Sequence, residues 1–414
     1  MPGTGATLLT VVIGGGAAGI AAARTLHDAG REVLLVEASD RLGGRARSLA
    51  CPEFGATFDL GCGWLHSAGR NPWTRIAEAS GFTVDRSPAK WDEQWRDLGF
   101  SPEEQKAYGA AWNRFEAAAE AARGGPDRPL SDFIADNDPW RPLMDAISGY
   151  VNGAPLSRVS LHDWAAYEDA ATEDNWTVRE GYGTLVASHA EGVPVRLNTP
   201  VTRIDRRGRT IKLEMAAGTI EADRVIVAVP TPALADGAIA FDPPLPEKRE
   251  AAADLPLGLA DKVFLAVDRP EWAANEHLIG NPHSAGTASY RLSPYGWPVI
   301  EAFFGGDHAE ALTEGDAAAF AIDELVALLG SGWRDRLRSL AVTRWRREPF
   351  IGGSYSHARI GRAGQRAALA EPVEGRIFFA GEACSHQDFS TAHGAYATGV
   401  AAAEAIISGS AASR

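Results

Sequence analysis

The stretch from Val11 to Ser48 constrains this 414-residue chain most, because it places two phosphate-binding signals in one βαβ unit. An apolar run (Leu8, Leu9, Val11, Val12, Ile13) predicts a strand that meets Gly14, Gly15, Gly16 and then Ala18 and Gly19. An Ala-rich helix follows and ends near Gly30, and a second strand, Val33 to Val36, closes on Glu37. Each position has a physical task in binding a dinucleotide: Gly14 permits the tight turn, Gly16 lets the backbone approach a pyrophosphate, and Gly19 lets the helix pack close to the strand. The helix N-terminus offers the diphosphate free N–H groups and a partial positive charge. Glu37 lies 18 residues after Gly19, placed to accept hydrogen bonds from ribose hydroxyls and to repel a 2′-phosphate, which argues against NADP.

A chain of this length is longer than one core usually grows, so two domains are expected. No segment has the uninterrupted apolar length of a membrane span, the N-terminus lacks the pattern of a signal peptide, and Gly409 to Arg414 is small and polar. A soluble, cytoplasmic protein with no membrane partner is the expectation. Cys51, Cys62 and Cys384 form neither a disulfide framework nor a zinc-ligand spacing, and they read as small apolar fillers with no metal site. The net charge of −14 argues against nucleic acid as a partner. It suits a cationic substrate, and equally an ordinary acidic protein kept soluble by charge.

Residues 83–175 read as helical and irregular, rich in Trp and acids, among them Glu93, Trp164, Glu168 and Asp169. Val195 to Leu197, Val201 to Ile204, Ile211 to Leu213 and Val225 to Val229 read as strands, the last stopping at Pro230. Residues 241–367 hold further strands and a helix over Ala317 to Leu329; Ile377 to Ala380 is a strand running into Gly381 and Glu382, with a helix starting near His393. The predicted fold class is α/β (α+β overall): a Rossmann-like dinucleotide domain from 1–82, 176–240 and 368–414, with an α+β substrate domain from 83–175 and 241–367.

Directly after Glu37, Arg41, Gly43, Gly44, Arg45 and Ser48 form an R-x-G-G-R-x-x-S run that resembles the second diphosphate motif of the flavin-containing amine oxidase family. Four further segments carry the resemblance over almost the whole chain: Phe58 to Phe82, Asp223 to Leu234, Trp345 to Ser356 and Phe379 to Gly399. Lys262, within A-D-K-V-F-L, matches the family's lysine that holds a water against flavin N5. The likeness is nearer to polyamine and spermine oxidases and histone lysine demethylases than to monoamine oxidases. It implies FAD as cofactor, with Arg45 near the diphosphate, Glu37 and Ala38 near the ribose, and Val201 meeting the adenine through its backbone. Gly63, Trp64, Trp345, Gly381, Thr391 and Ala392 would lie along the flavin, and Glu382 would bind its ribityl chain.

Departures from the family pattern refine this. Where monoamine oxidases carry the cysteine that attaches the flavin, this chain has Ser354, which cannot form the thioether, so the FAD is expected to be non-covalent. Tyr355 supplies one aromatic wall before the flavin, but the facing position is Thr391, leaving a wider approach for a long or bulky amine. The chain has no room for the long helical insertions of the demethylases, which argues against a chromatin role.

The chemistry implied is oxidation of a primary or secondary amine by hydride transfer to flavin N5, then imine hydrolysis, with O2 as acceptor and H2O2 as product. Lys262, Tyr355, Thr391 and His66 are the expected catalytic-site residues, and His393 is expected to be structural. Glu168, Asp169 and Glu93 are candidates for a distant ammonium group of a polyamine, against the simpler reading of solvated acids. Two rivals stay open. An L-amino acid oxidase or desaturase could use the same scaffold, the former needing a pocket arginine such as Arg179 or Arg344; a non-catalytic flavin-binding protein is the other.

Overall fold

The structure is a computed structural model that describes residues 8–409; the polar tail after Gly409 lies outside the described residues. Five parallel strands form its first sheet, in the order Ile377–Phe379, Arg224–Val227, Thr10–Ile13, Val33–Val36, Val195–Arg196. Period-two alternation divides the first four of these strands between two cores. Val12, Leu35, Ile226 and Phe378 face one core, shared with the helices Ala17–Asp28 and Ala392–Ser408. Val11, Ile13, Val36, Val225, Val227 and Phe379 face another, covered by the strands Val201–Asp205, Ile211–Met215 and Gly218–Ala222. Burial on both faces is what a parallel sheet needs, and it accounts for strands that read as continuous apolar runs.

The predicted elements are close to those observed, with two differences. The strand expected to reach Val229 ends at Val227, and Pro230 instead caps the helix Thr231–Ala235. The strand Gly218–Ala222, which has little apolar patterning, pairs antiparallel with Ile211–Met215 through the turn between them.

The second large sheet is antiparallel, in the order Glu276–Ile279, Ser289–Leu292, Val299–Gly305, Ala260–Val267, Leu337–Val342. The helix Ala317–Leu329, capped by Asp316, packs within its hydrophobic core. Three helices, Pro102–Ala122, Arg141–Asn152 and Leu161–Glu168, build a further core around Phe115, Leu143 and Leu161. A boundary at residue 82 divides the sequence and not the packing, because Phe58 stacks on Phe264 of the antiparallel sheet with ring centroids 4.7 Å apart. We keep the two-domain division as a proposal on that understanding. Among the described residues no helix is long and apolar enough to cross a membrane.

Candidate active site

A cavity of about 2030 Å³ runs from the glycine turn, past the antiparallel sheet, into the helical segment. At its first end the backbone is shaped by two glycines. Gly14 has φ +103°, and a Cβ there would meet the Ala228 carbonyl oxygen at 2.4 Å; a Cβ on Gly19 would lie 1.8 Å from the Gly14 oxygen. Neither position admits a side chain, so helix and strand approach as the motif requires. Gly16 differs: the nearest atom to a Cβ built there is 4.0 Å away, so its face is open to the cavity. Gly16 also caps the helix without a side-chain hydrogen bond, and Ala17 and Ala18 line the cavity. This is a cradle with uncapped amides at a helix N-terminus, which fits a diphosphate.

Glu37 is held at the cavity wall with both oxygens engaged. Oε2 accepts from the Gly15 N–H at 2.6 Å, and Oε1 from the Ser39 N–H and hydroxyl at 2.8 and 2.7 Å. Gly15 itself is off the lining; its part is that amide. Ala38 and Val201 line the same end. Arg45 Nη1 donates to the Ser354 carbonyl at 2.7 Å and to Glu382 Oε1 at 2.8 Å. Glu382 also accepts from the Ser356 and Ser390 N–H groups and the Ser356 hydroxyl. Burial works to raise its pKa, but Arg45, the Ser356 hydroxyl and Arg366 hold the carboxyl below the usual glutamate range.

The middle of the cavity brings together the predicted reactive-face residues: Gly63, Trp64, His66, Lys262, Trp345, Tyr355, Gly381, Thr391 and Ala392. Lys262 Nζ donates to the Asp59 carbonyl at 2.9 Å and lies 2.7 Å from Glu301 Oε1. Gly63 faces this ammonium, where a Cβ would be 3.4 Å from Nζ. Trp345 is buried, its indole N–H donating to the Leu60 carbonyl at 3.2 Å. The Thr391 hydroxyl accepts from Gly394 N–H at 3.0 Å and donates to Asp388 O at 2.6 Å, so it caps the helix Ala392–Ser408. Tyr355 donates its hydroxyl to the Tyr150 carbonyl, which fixes the ring as a wall. Ser354 Oγ donates to Ala260 O and accepts from Ala260 N–H, both at 2.8 Å, so the hydroxyl is consumed in pinning the loop to the sheet.

His66 Nδ1 lies 2.7 Å from Asn175 Oδ1, and burial, opposed by that contact, pushes the imidazole down to about 4. A histidine neutral in the fold but basic at 6.5 when unfolded binds more protons in the unfolded state. Its contribution to stability is therefore full above pH 6.5 and is lost as pH falls toward 4, by up to about 3 kcal/mol. His66→Gln is expected to flatten the fall in unfolding free energy between pH 6.5 and 4; an unaltered slope in denaturant titrations would refute this. His393 is buried, off the cavity lining and 3.2 Å from Asp388, which is also bound by Arg70.

Other candidates land elsewhere. Asp169 is exposed and ion-paired with Arg123, off the cavity lining. Arg179 lies over Tyr295 and Trp297, and Arg344 is exposed and reaches the Gly315 carbonyl, so neither lines the cavity. Cys62 packs against the first core, as a small apolar filler does, and also lines the cavity, its thiol pushed up to about 12 by burial. Glu93 and Glu168 do line the cavity. Glu301, Arg291 and Glu116, which sequence reasoning missed, line it as well. For Glu301 a signal existed: an acid in the otherwise apolar run Val299 to Phe304. Among the described residues no group of His, Cys, Asp or Glu is placed to hold a metal ion.

A parallel sheet with a glycine cradle, opening on a lysine-bearing antiparallel sheet, is the arrangement of a nucleotide-cofactor oxidoreductase. The chain belongs to the flavin containing amine oxidoreductase family, whose profile matches residues 17–129 and 130–407. It is an oxidoreductase with a flavin cofactor that acts on small-molecule amines. It is similar to polyamine oxidase 2 of Arabidopsis thaliana, 30% identical over 433 residues that cover 95% of this chain and 87% of the relative. Polyamine oxidase 4 of Oryza sativa subsp. japonica is likewise 30% identical, over 95% and 87%. Human lysine-specific histone demethylase 2 is 28% identical over 96% of this chain but only 53% of its own length. A solved structure of a putrescine oxidase redesigned for cofactor binding shares the fold, with a TM-score of 0.75 and 21% identity, over 97% of this chain and 99% of that one.

Proposed function

We propose that the chain is an FAD-dependent oxidase of di- and polyamines that holds its cofactor non-covalently. One observation carries this reading: the cavity is continuous from the glycine cradle past Lys262 into an aromatic chamber with acids on its wall. That chamber is lined by Phe100, Tyr108, Trp112, Phe115 and Trp164, with Glu116 and Glu168 among them. Trp112 Nε1 donates to Glu116 Oε1 at 2.7 Å, and burial together with Glu116 raises the Glu168 carboxyl above its usual range. Aromatic faces and carboxylates are the groups that bind an ammonium. A monoamine would leave them unused.

Gly14, Gly16, Glu37, Arg45 and Glu382 would hold the FAD, and the engagement of Ser354 with Ala260 supports non-covalent binding. When bound, the flavin supplies the acceptor for the α-hydrogen as a hydride equivalent. The chain's own part is to orient and desolvate. Tyr355, Trp64 and Thr391 bound the approach to the reactive face, and the apolar wall favours the neutral amine, the form that can be oxidised. Lys262 would hold a water there and assist imine hydrolysis or reoxidation. Overall, the amine, O2 and water would give an aldehyde, a smaller amine or ammonia, and H2O2.

The test is anaerobic mixing of the purified holoenzyme with putrescine, spermidine, spermine, N-acetylated polyamines, monoamines and L-amino acids, following the oxidised flavin band. Bleaching by di- or polyamines, with peroxide formed on admitting air, is expected; bleaching by monoamines alone would overturn the substrate class. Glu116→Gln and Glu168→Gln are each expected to raise KM for the bleaching amine about fivefold with little change in kcat, as lost uniform binding does. An equal rise for a monoamine would remove the chamber from recognition.

Arg291 favours a second reading. It lines the cavity over Trp64 and Tyr295, with Nη2 2.6 Å from Asn275 Oδ1 and, among the described residues, no acid in ion-pair range. A guanidinium so placed could receive a substrate carboxylate. Bleaching by L-amino acids, abolished in Arg291→Met, would select this reading over the polyamine one.

A further inference from the structure

We propose that Glu301 is a positioning residue for Lys262: it holds the ammonium in one direction and offsets its charge beside the flavin site. The inference rests on the placement of Lys262 at the flavin's reactive face, but not on the identity of the amine.

Register puts the two side chains together. Lys262 is opposite Phe303 and Phe264 is opposite Glu301 across the antiparallel strands Ala260–Val267 and Val299–Gly305. Lys262 and Glu301 are therefore diagonal neighbours on one face, within reach for long side chains. Both line the cavity, with side chains only 7% and 14% exposed. Glu301 Oε1 is 2.7 Å from Nζ, and the Asp59 carbonyl takes another donor at 2.9 Å. An ammonium has three N–H groups, so fixing two sets the direction of the third. The Phe303 ring, 5.7 Å from Nζ, and the bare Gly63 backbone close the remaining sides.

The pairing also sets the charge of the pocket. A lysine buried without a partner would be costly, would repel a cationic amine and would draw electrons toward the flavin. Paired with Glu301 it presents a donor with its net charge offset. Arg291 stands opposite Glu301 on the next strand, but its guanidinium turns to Asn275, Trp64 and Tyr295, so the carboxylate is left to Lys262. Glu301 need not touch substrate to act; its effect passes through Lys262.

The decisive measurement is the midpoint potential of the bound flavin, determined with dithionite and a reference dye in the absence of any amine. Glu301→Gln is expected to favour the reduced flavin about tenfold, a rise of about 30 mV for a two-electron couple. In the Lys262→Met background the same substitution is expected to give less than roughly a third of that shift, since the charge it uncovers is gone. Glu301→Asp keeps the charge but shortens the reach, and is expected to move the potential in the same direction by a smaller step. No rise in either single variant overturns the proposal. An equal shift with and without Lys262 also overturns it, because Glu301 would then act on the flavin directly.

Discussion

Lys262→Met is expected to slow reoxidation of the reduced enzyme by oxygen about 100-fold or more, while reduction by amine changes less. Methionine nearly matches the lysine's length, so the wall of the cavity keeps its shape. What goes is the charge and the donors: the contact with the Asp59 carbonyl, the pairing with Glu301, and the donor available to a water in the cavity. Stopped-flow absorbance separates the two half-reactions, and the flavin spectrum reports that the cofactor is retained. Reoxidation at the wild-type rate would remove Lys262 from the oxygen step and leave imine hydrolysis as its proposed role. A collapse of both half-reactions with loss of flavin would instead point to the stranded Glu301 carboxylate, buried without its cation.

The largest effect on stability is expected from Asp163→Asn, a loss of about 3–5 kcal/mol. Asp163 receives both arms of Arg366, at 2.7 Å each, and the Ala358 N–H at 2.9 Å. The pair is buried, 1% and 3% exposed, so an amide in place of the carboxylate leaves the guanidinium without its directly paired countercharge. Arg366 continues to Ser356 Oγ at 2.9 Å, and Ser356 Oγ to Glu382 Oε2 at 2.6 Å, with Arg45 on the other carboxylate oxygen. This chain of contacts joins the helix Leu161–Glu168 to the flavin side of the cavity. Asp163→Asn should therefore also release flavin at lower denaturant than the parent. Urea unfolding followed by tryptophan and flavin fluorescence measures both; a change under about 1 kcal/mol would mean that the network carries little.

The nucleotide half of the molecule was legible because its signals are local. The turn Gly14 to Gly19, the helix Ala17–Asp28 and the strand Val33–Val36 each depend on residues within a few positions of one another. Gly14 and Gly19 sit where no Cβ fits, and a motif of that kind announces its own geometry. The predicted reactive-face residues Lys262, Tyr355 and Thr391, far apart in sequence, also meet on one cavity. Their common placement was readable only because each sits in a recognisable segment.

Sequence by itself determined the βαβ nucleotide unit and the family, since spacing and residue type suffice for these. Tertiary structure alone decided which charges share the cavity. Glu301 became the partner of Lys262 through the register of two antiparallel strands, where a shift of one residue would have turned it to the other face. Arg291 entered, and Arg179 and Arg344 did not, for reasons of strand pairing and side-chain direction that no local pattern encodes. Asp169 and Glu168 are adjacent in sequence, yet Asp169 turns to Arg123 while Glu168 lines the chamber. Charge type is written in the chain, but whether a charge meets substrate, solvent or another charge depends on long-range packing.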